Sequence, residues 1–520
     1  MKAKAVKWVP AAIVLLAALV LLCLNATRSG LWYDEGVEYF YSSVVSGPVP
    51  GWSETQNMYE RITETFQPPL YNVLMHLWLL AFDSEFGFRL AGILTTLAGG
   101  IGLFLAFRKM TDPLWAAAGT ATYLFTGQVM EYALECAEYN LVLCFLCWTL
   151  FFFVKAFLEK GTGSLAGFFL CACLSVYSQY GAAFAVVPLY LALMIRMWKD
   201  GTKRKQMLLF SGGAVLLAIP LVIFFLIPQI QHQGTMEVSH SPVFFHGGPL
   251  RDFVWEFWHL LCRAAGGEIG GAIWILFLTG AAAAALLMPR GRMKSLLLCL
   301  LAVCACIWVV LFAAVACSFY GYNVWDGTLG TENMSGRYVL FYLPLLLLFG
   351  IGGTFLLARE IGKRSTRTRR IALALAALLL VPYCASGIRM MTRMEPKDQV
   401  REAETAWMAE KAYEKRTIVH SHSEVIFVYY LMHDPAWKEE YLQQLVTSGD
   451  WMNFTSAGEV ISRLSDTGIF EENEFYYLGT SSNFVGSYSE FLAAFRQMGY
   501  ETEEIYQGKG VLVRCTRTDA

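Results

Sequence analysis

The chain has 520 residues, of which 56% are hydrophobic and only 16% are charged. Soluble domains carry about a quarter charged residues, so this composition excludes an ordinary soluble protein and predicts many membrane spans. Basic residues fall in short clusters between apolar runs, which argues against a nucleic-acid-binding surface and is typical of the cytoplasmic loops of a membrane protein.

Apolar runs predict a mainly α polytopic protein with about 11 to 13 transmembrane helices. The first run is predicted to be an uncleaved helix with its N-terminus inside, because "LCLNATRSG" offers no clear cleavage site. The predicted spans are 8–25, 70–83, 88–107, 114–131, 139–158, 164–179, 182–198, 207–228, 270–288, 295–316, 337–358 and 370–388. The pair 70–83 and 88–107 obeys the positive-inside rule only if one member is short or re-entrant; otherwise the basic residues 108–109 break that rule.

The loops between these spans differ in length and charge. Short basic clusters, such as residues 203–205, indicate the cytoplasmic side. The long loops 26–69 and 229–269 then face outside, and we expect any site on that face. The 13 cysteines lie mostly in apolar runs without partners at zinc-site spacing, so we interpret them as packing residues rather than metal ligands or disulfides.

Charge separates the C-terminal part from the rest. Residues 389–520 hold 13 Lys and Arg against 21 Asp and Glu, a net charge of −8, whereas the preceding residues carry +6. This predicts a polytopic membrane domain over 1–390 and a small soluble domain over 391–520, placed outside the cytoplasm. In the tail, helical patterns alternate with the strand-like segments "RTIVHS", "EVIFVYYLM", "EFYYLG" and "GVLVRCTR", which predicts an α/β fold.

Two carboxylates follow the first span, in the stretch "LWYDEGVEYF" at residues 31–40. Asp34 and Glu35 lie where a charge near the membrane is costly unless it is used. They form either a functional pair, such as a general base with a neighbour, or the N-terminal cap of a short helix beginning near Asp34. Glu38 fits the solvated side of such a helix.

Three further polar groups stand at the ends of apolar helices. In "TFQPPLYNVLMHLW", residues 65–78, the two prolines start a helix, but the clustering of Gln67 and Tyr71 beside them is unexplained. In "EYALECAEYNL", residues 131–141, Glu131 and Glu135 share a helix face and repel mildly, so a partner cation or a protonated state is expected. In "SGRYVLFYLPLLLL", residues 335–348, Arg337 either snorkels to the headgroups or clamps a phosphate.

These motifs, in this order and spacing, resemble those of the polytopic C-type glycosyltransferases, in particular the protein mannosyltransferase group of glycosyltransferase family 39. "LWYDEGVEYF" is similar to the first-loop Asp-Glu motif of that group, and "QPPLYNVLMHLW" to its His-Pro-Pro-Leu-Tyr helix start. "LECAEYNL" is similar to a Glu-Ala-Arg-x-Tyr stretch, "SVYSQYGAAF" to a Thr-His-Tyr-x-Gly break, and "SGRYVLFYLP" to an Arg-Tyr segment before an apolar helix. The resemblance covers residues 8–390.

The resemblance implies an integral, multi-pass plasma-membrane enzyme with the C-type architecture. It would move a sugar from a polyprenyl-phosphate-sugar donor to a hydroxyl of a protein, lipid or cell-envelope glycan on the outer face. Asp34 would be the general base and Glu35 its supporting carboxylate. The residues predicted at the donor and its phosphate are Gln67, Tyr71, Glu135, Tyr139, Gln179, Tyr180, Arg337 and Tyr338. No metal or other cofactor is required, although the adjacent carboxylates leave a divalent cation open.

Three positions depart from the family pattern. Gln67 and Gln179 stand where relatives have His, and Ala137 where many have Arg. Three explanations stay open: another sugar or acceptor, compensation by residues such as His240 or His246, or an inactive member. Two other classes also stay open, a transporter or flippase of lipid-linked sugars and a non-catalytic envelope assembly protein. A transporter is expected to place ionisable residues in mid-helix, whereas these acids cluster at helix ends.

Overall fold

The chain forms two compact units, each described here by itself. The first comprises Met1–Leu24, Ile62–Leu74 and Arg89–Met394, and the second comprises Asn25–Arg61, Met75–Phe88 and Glu395–Ala520. The computed structural model describes residues 8–43, 57–64, 67–159, 161–201, 203–235, 258, 262, 267–316, 336–363, 365–393, 400–447, 456–480 and 487–518.

Apolar runs become helices because a backbone in lipid must satisfy its own hydrogen bonds. Up to residue 393 the helices are α1 (Val9–Asn25), α2 (Tyr33–Ser42), α3 (Met58–Glu64), α4 (Leu70–Leu79), α5 (Glu85–Arg108), α6 (Pro113–Leu124), α7 (Gly127–Ala133), α8 (Tyr139–Glu159), α9 (Thr162–Ser178), α10 (Ala183–Asp200), α11 (Arg204–Leu221), α12 (Ile227–Thr235), α13 (Gly267–Leu287), α14 (Arg292–Ala316), α15 (Leu343–Gly362) and α16 (Thr366–Thr392). Short 3-10 segments cover Tyr180–Ala182 and Gly336–Tyr342, and a π-helical turn over Val222–Leu226 joins α11 to α12.

Every predicted span coincides with helix, and the mainly α polytopic class is confirmed. Within the described residues, 8 helices are long and apolar enough to cross a membrane. Helix α4 has only 10 residues. At about 1.5 Å per residue it covers about half of a hydrocarbon core of roughly 30 Å. It is therefore shorter than a full span, and the charge-rule interpretation of the pair 70–83 and 88–107 stays a prediction.

The predicted span 114–131 is two helices rather than one, because α6 ends at Leu124 and α7 begins at Gly127. Helix α16 crosses this break very closely: a Cβ on Gly387 would lie 1.9 Å from the carbonyl oxygen of Phe125. The Thr126 hydroxyl is 3.0 Å from that of Tyr383 on the same helix. Hydropathy did not reveal the break because Thr126 and Gln128 are only a few polar residues within a long apolar run.

The second unit contains a mixed sheet. Its strands are β1 (Thr417–Val419), β2 (Leu445–Thr447), β3 (Glu474–Thr480), β4 (Tyr500–Gln507) and β5 (Gly510–Arg517). The strand order is β2-β1-β3-β5-β4, with β1 parallel to β2 and β3, and β5 antiparallel to β3 and β4. The later helices of the chain are α17 (Val400–Ala409), α18 (Ser421–His433), α19 (Ala457–Ser465) and α20 (Tyr488–Gln497).

The small α/β region is confirmed, but one of its elements was predicted wrongly. "EVIFVYYLM", at residues 424–432, forms most of helix α18 instead of a strand. A short apolar run buried on all sides carries no period that separates helix from strand, and every residue from 424 to 431 is buried. The division at residue 390 stays a prediction, since the second unit also takes in residues 25–61 and 75–88.

Candidate active site

In the first unit, polar side chains gather where the helices break. Glu135 and Glu138 lie between α7 and α8 and are both buried. The Oε1 atom of Glu138 accepts a hydrogen bond of 3.2 Å from Nε2 of Gln179, which ends α9. Two breaks that are 41 residues apart in the sequence are therefore joined by side chains. Irregular backbone at membrane depth is tolerated where it lines protein or a cavity, and such places are commonly binding sites.

Gln229, on α12, connects a third segment to these two helix breaks. Its Oε1 atom accepts a hydrogen bond of 2.9 Å from the Tyr180 hydroxyl. Its Nε2 atom donates to the carbonyl oxygens of Ile62 at 3.1 Å and Gln67 at 2.6 Å. Gln229 is fully buried. Sequence reasoning missed it, although a glutamine directly after Pro228 at the end of an apolar run was a usable signal.

The 3-10 segment Gly336–Tyr342 reaches the same region. It packs against α7, α8 and the segment Tyr180–Ala182. The ring of Phe341 stacks on that of Phe184 with centroids 6.2 Å apart. The backbone that carries Arg337 and Tyr338 is therefore beside the helix breaks, whereas the side chains of these two residues lie outside the described part.

Side-chain amides in this region include Asn140 and Gln179, whose polar atoms lack partners among the described residues. Asn140 has an exposure of 0%, and neither its Oδ1 nor its Nδ2 finds a hydrogen-bond partner among the described residues. The Oε1 atom of Gln179 likewise has no hydrogen-bond partner among the described residues. A buried polar group left without a partner costs about 1–3 kcal/mol. Such a cost is typical of a site that a polar ligand completes.

Tyr71 and Tyr139 are buried among the helices of this unit. Tyr139 packs against the ring of Tyr132 with centroids 4.8 Å apart. Hydrogen bonds therefore connect Gln179 to Glu138, and Tyr180 through Gln229 to the backbone of Gln67, within one unit. Glu135 and Tyr139 flank Glu138 in the sequence, and the backbone of the segment Gly336–Tyr342 packs beside the same helix breaks. His240 and His246, the possible substitutes for missing cationic groups, lie outside the described residues, as does most of the loop 229–269.

In the second unit, the two carboxylates of the first loop differ in their surroundings. Glu35 is 2% exposed, and its Oε2 atom accepts a hydrogen bond of 3.2 Å from the backbone N–H of Trp32. This is the capping interaction at the start of α2. Asp34 is only partly buried in the same first turn. The capping interpretation thus describes the Glu35 carboxylate, and Asp34 is the more open acid.

Glu38 corrects an expectation, because it is 5% exposed rather than solvated. It lies one turn after Glu35 and shares the same helix face. Helix α2 is covered on more than one side, with Tyr39 and Phe40 also buried. Among the described residues, no three His, Cys, Asp or Glu side chains form a group that could hold a metal ion.

The sequence and the fold are similar to those of known membrane proteins. A family model described as dolichyl-phosphate-mannose-protein mannosyltransferase matches residues 67–225. Among solved structures, ArnT from Cupriavidus metallidurans bound to undecaprenyl phosphate is similar with a TM-score of 0.57, at 14% identity and with 98% of each chain covered. The Archaeoglobus fulgidus oligosaccharyltransferase in its apo form gives a TM-score of 0.50 at 11% identity, covering 90% of this chain and 69% of that chain. No curated protein matches the sequence.

At these identities the solved structures establish the fold, which is that of the C-type glycosyltransferases. The family model adds the enzyme class, and its matched segment contains the Pro-Pro motif and the helix breaks on either side of α8 and α9. The prediction of a glycosyltransferase is therefore confirmed. The chain is a polytopic membrane glycosyltransferase of the C type, similar to the protein mannosyltransferase family.

Proposed function

We propose that the chain transfers a sugar from a polyprenyl-phosphate-linked donor to a hydroxyl of a protein, lipid or cell-envelope glycan, outside the cytoplasm. The description of the matching family names dolichyl-phosphate-mannose. ArnT from C. metallidurans, which shares the fold, was solved with undecaprenyl phosphate. A donor anchored in lipid suits an enzyme whose polar residues lie between membrane-embedded helices.

The observation that carries this proposal is the buried polar group at the helix breaks of the first unit. Its amide atoms on Asn140 and Gln179 find no protein partner in the described part of the chain. Sugar hydroxyls both donate and accept hydrogen bonds, so they can satisfy amide oxygens and nitrogens together. We assign Gln67, Tyr71, Glu135, Tyr139, Gln179 and Tyr180 to the binding of the donor. We add Asn140 as a residue that binds the donor and Gln229 as a residue that supports the others.

The chemistry divides between a base and an anion-binding group. The Asp34 carboxylate takes the proton of the acceptor hydroxyl as its oxygen bonds to the anomeric carbon. The bond from that carbon to the phosphate oxygen breaks, and polyprenyl phosphate leaves with the electron pair. Arg337, with Tyr338, stabilises the charge that develops on the phosphate. A single displacement of this kind inverts the anomeric configuration.

Two features support the outer face as the place of transfer. Basic clusters concentrate in the short loops, for example residues 203–205 and 363–370, as the positive-inside rule requires of cytoplasmic loops. The acidic segment 391–520 then lies outside, together with the long loops 26–69 and 229–269. We propose the same boundary, near residue 390, between the membrane domain and the soluble domain.

The base assignment is tested by Asp34→Asn, which keeps the side chain's shape and removes its basicity. Loss of general-base catalysis costs about 10²- to 10⁴-fold in rate. We therefore expect kcat to fall by at least about a hundredfold, with the donor's KM little changed. The assay is transfer from polyprenyl-phosphate hexoses in reconstituted membranes, with the products identified by mass spectrometry.

Glu60→Gln is the matched control, because Glu60 is an exposed carboxylate in the same loop. It should keep wild-type transfer. Equal thermal unfolding of the two variants would show that both are folded. Wild-type kcat in Asp34→Asn would remove Asp34 from the mechanism, and transport of lipid-linked sugar without any glycoside would contradict the proposed reaction itself.

A further inference from the structure

Within the second unit, helix α18 lies along helix α2, the helix that carries Asp34. At the start of α2, the backbone N–H of Leu31 donates a hydrogen bond of 2.5 Å to the Tyr430 hydroxyl. In its middle, a Cβ on Gly36 would lie 3.2 Å from Cγ1 of Val425, so the two helices approach closely there. These contacts join residues almost 400 positions apart in the chain, with 399 between Leu31 and Tyr430.

At the other end of α2, a carboxylate joins the two helices. The Tyr39 hydroxyl donates a hydrogen bond of 2.8 Å to Oδ1 of Asp83. The Nε2 atom of His433, the last residue of α18, is 3.3 Å from the same oxygen. The Tyr39 ring also meets the ring of Tyr429 edge-on, with centroids 4.7 Å apart. Asp83 therefore links α2 with α18 through one oxygen atom.

The contacts of His433 favour the protonated form of its ring. Nδ1 lies 2.8 Å from the carbonyl oxygen of Tyr429, and Nε2 faces the Asp83 carboxylate. Both neighbours are acceptors, and only the protonated ring has two donors. Burial lowers the pKa of His433, but the hydrogen bonds with Asp83 and Tyr429 raise it overall above its usual value. Burial raises the pKa of Asp83, and the bonds from His433 and Tyr39 bring it below its usual value.

The other charged groups around this site leave the pair intact. Glu85 is paired with Arg401, whose guanidinium also lies over the Tyr430 ring at 5.1 Å. Glu404 and Asp434 interact with each other, and burial followed by the charge of Asp434 raises the pKa of Glu404 to about 7.

We propose that His433 is a positioning residue, which acts through Asp83 and Tyr39 to hold helix α2, and with it Asp34, in the orientation required for sugar transfer. The inference rests on the proposed role of Asp34. Helix α2 has 10 residues, and isolated helices shorter than about 12–15 residues are marginal in water. Its orientation therefore depends on what packs against it, and the C-terminal segment supplies that packing.

The test combines His433→Gln, Asp83→Asn and the double variant, with transfer kinetics from pH 5 to 9. Each single variant should lower kcat about tenfold and change the donor's KM by no more than about twofold. The double variant should have the same kcat as either single variant, because each of the three variants removes the same link. Wild-type kcat should fall above the raised pKa of His433, and His433→Gln should lack that decline. Glu440→Gln, an exposed acid of the same segment, is the control and should match the wild type.

Hydrogen exchange gives a readout that does not depend on the chemistry. Amides of residues 33–42 should exchange about tenfold faster in His433→Gln than in the wild type, because opening of α2 becomes easier. Tyr39→Phe removes a single hydroxyl and keeps the ring packing, so it provides the same test if His433→Gln does not fold. Its expected effect is about threefold on kcat and on exchange, smaller than that of the ion pair.

The outcomes separate this proposal from the proposed function. The positioning role would be overturned if His433→Gln changed neither the hydrogen exchange of residues 33–42 nor kcat. If His433→Gln does not fold, the same result in Tyr39→Phe would overturn it. Full activity of Asp34→Asn with faster exchange in His433→Gln would remove the base assignment while leaving the link between α2 and α18. A lower kcat with unchanged exchange would also contradict positioning, because His433 would then act in another way.

Discussion

Asp34 and Glu35 are adjacent in the sequence, yet their side chains do different work. Successive residues of a helix point about 100° apart, since a turn takes 3.6 residues. Glu35 thus turns its carboxylate back to the Trp32 N–H, while Asp34 stays partly open. Spacing alone left a cap and a functional pair as equal interpretations. The hydrogen bond assigns the cap to Glu35, and Asp34 remains the residue that we propose as the base.

Gln229 is the residue that tests the polar group of the first unit. Replacing it by Leu removes one hydrogen bond from the Tyr180 hydroxyl and one from each of the carbonyl oxygens of Ile62 and Gln67. Each lost hydrogen bond lowers the net stability by about 0.5–1.5 kcal/mol. We expect Gln229→Leu to lower the free energy of unfolding by about 2–3 kcal/mol. We expect it to lower the rate of sugar transfer by at least about tenfold.

Thermal unfolding and donor KM measure this effect. Gln231→Leu is the matched control, because Gln231 lies two residues further along α12 and is exposed. A Gln229→Leu variant as stable and active as Gln231→Leu would mean that the Tyr180–Gln229–Gln67 connection contributes nothing.

At the scale of elements, the proposed donor-binding residues lie at or next to the breaks between helices. The predicted interruptions at 132–138 and 179–181 are present, between α7 and α8 and between α9 and α10. Each break leaves polar side chains and backbone groups among apolar helices, where only protein partners or a ligand can satisfy them. The long spans serve to hold these breaks beside the segment 336–342.

The close approach of α16 to Phe125 predicts a large effect for a small substitution. A Cβ on Gly387 of α16 would lie 1.9 Å from the carbonyl oxygen of Phe125 and 2.9 Å from the nitrogen of Gly127. Because backbone atoms cannot rotate away, Gly387→Ala must separate the helices, at a cost of about 1–3 kcal/mol or more. A lower melting temperature in thermal unfolding is the expected result.

Gly212→Ala provides the comparison, since a Cβ there would meet nothing within 4 Å on α11. Alanine favours a helix over glycine by about 1 kcal/mol, so this variant should be as stable as the wild type or slightly more stable. Equal melting temperatures for both substitutions would show that α16 does not cross α6 and α7 as closely as described.

For the whole molecule, one buried acid of the second unit links unfolding to pH. Burial, then the charge of Asp434, raises the pKa of Glu404 to about 7, against about 4.3 in an unfolded chain. The folded state therefore keeps a proton that the unfolded state loses. The stabilisation is complete below about pH 4 and is lost as pH rises through 7, a change of up to about 4 kcal/mol.

Glu404→Gln should consequently raise the melting temperature at pH 8 and leave it nearly unchanged at pH 5, measured on the full chain in detergent. His433 also has a raised pKa, so part of the decline with pH should persist in this variant. Glu402→Gln, an exposed acid on the same helix, should have no effect at either pH. A shift of equal size at pH 5 and pH 8 would assign the effect to something other than titration of Glu404.

The sequence by itself determined the membrane class, the positions of the spans and the order of the motifs. This was possible because a span needs about 20 apolar residues and must satisfy its own backbone, so local composition is enough to identify it. The same local rules failed where burial removes periodicity, as in α18, and where another helix crosses, as at Phe125.

Only the tertiary structure decided which residues meet. Gln229 bonds to Gln67 across 162 positions, and His433 faces Asp83 across 350. It also decided that residues 25–61 and 75–88 pack with the C-terminal segment in one unit. Contacts between distant segments leave no spacing in the sequence, because they depend on how whole helices pack and on which polar groups must be satisfied once buried.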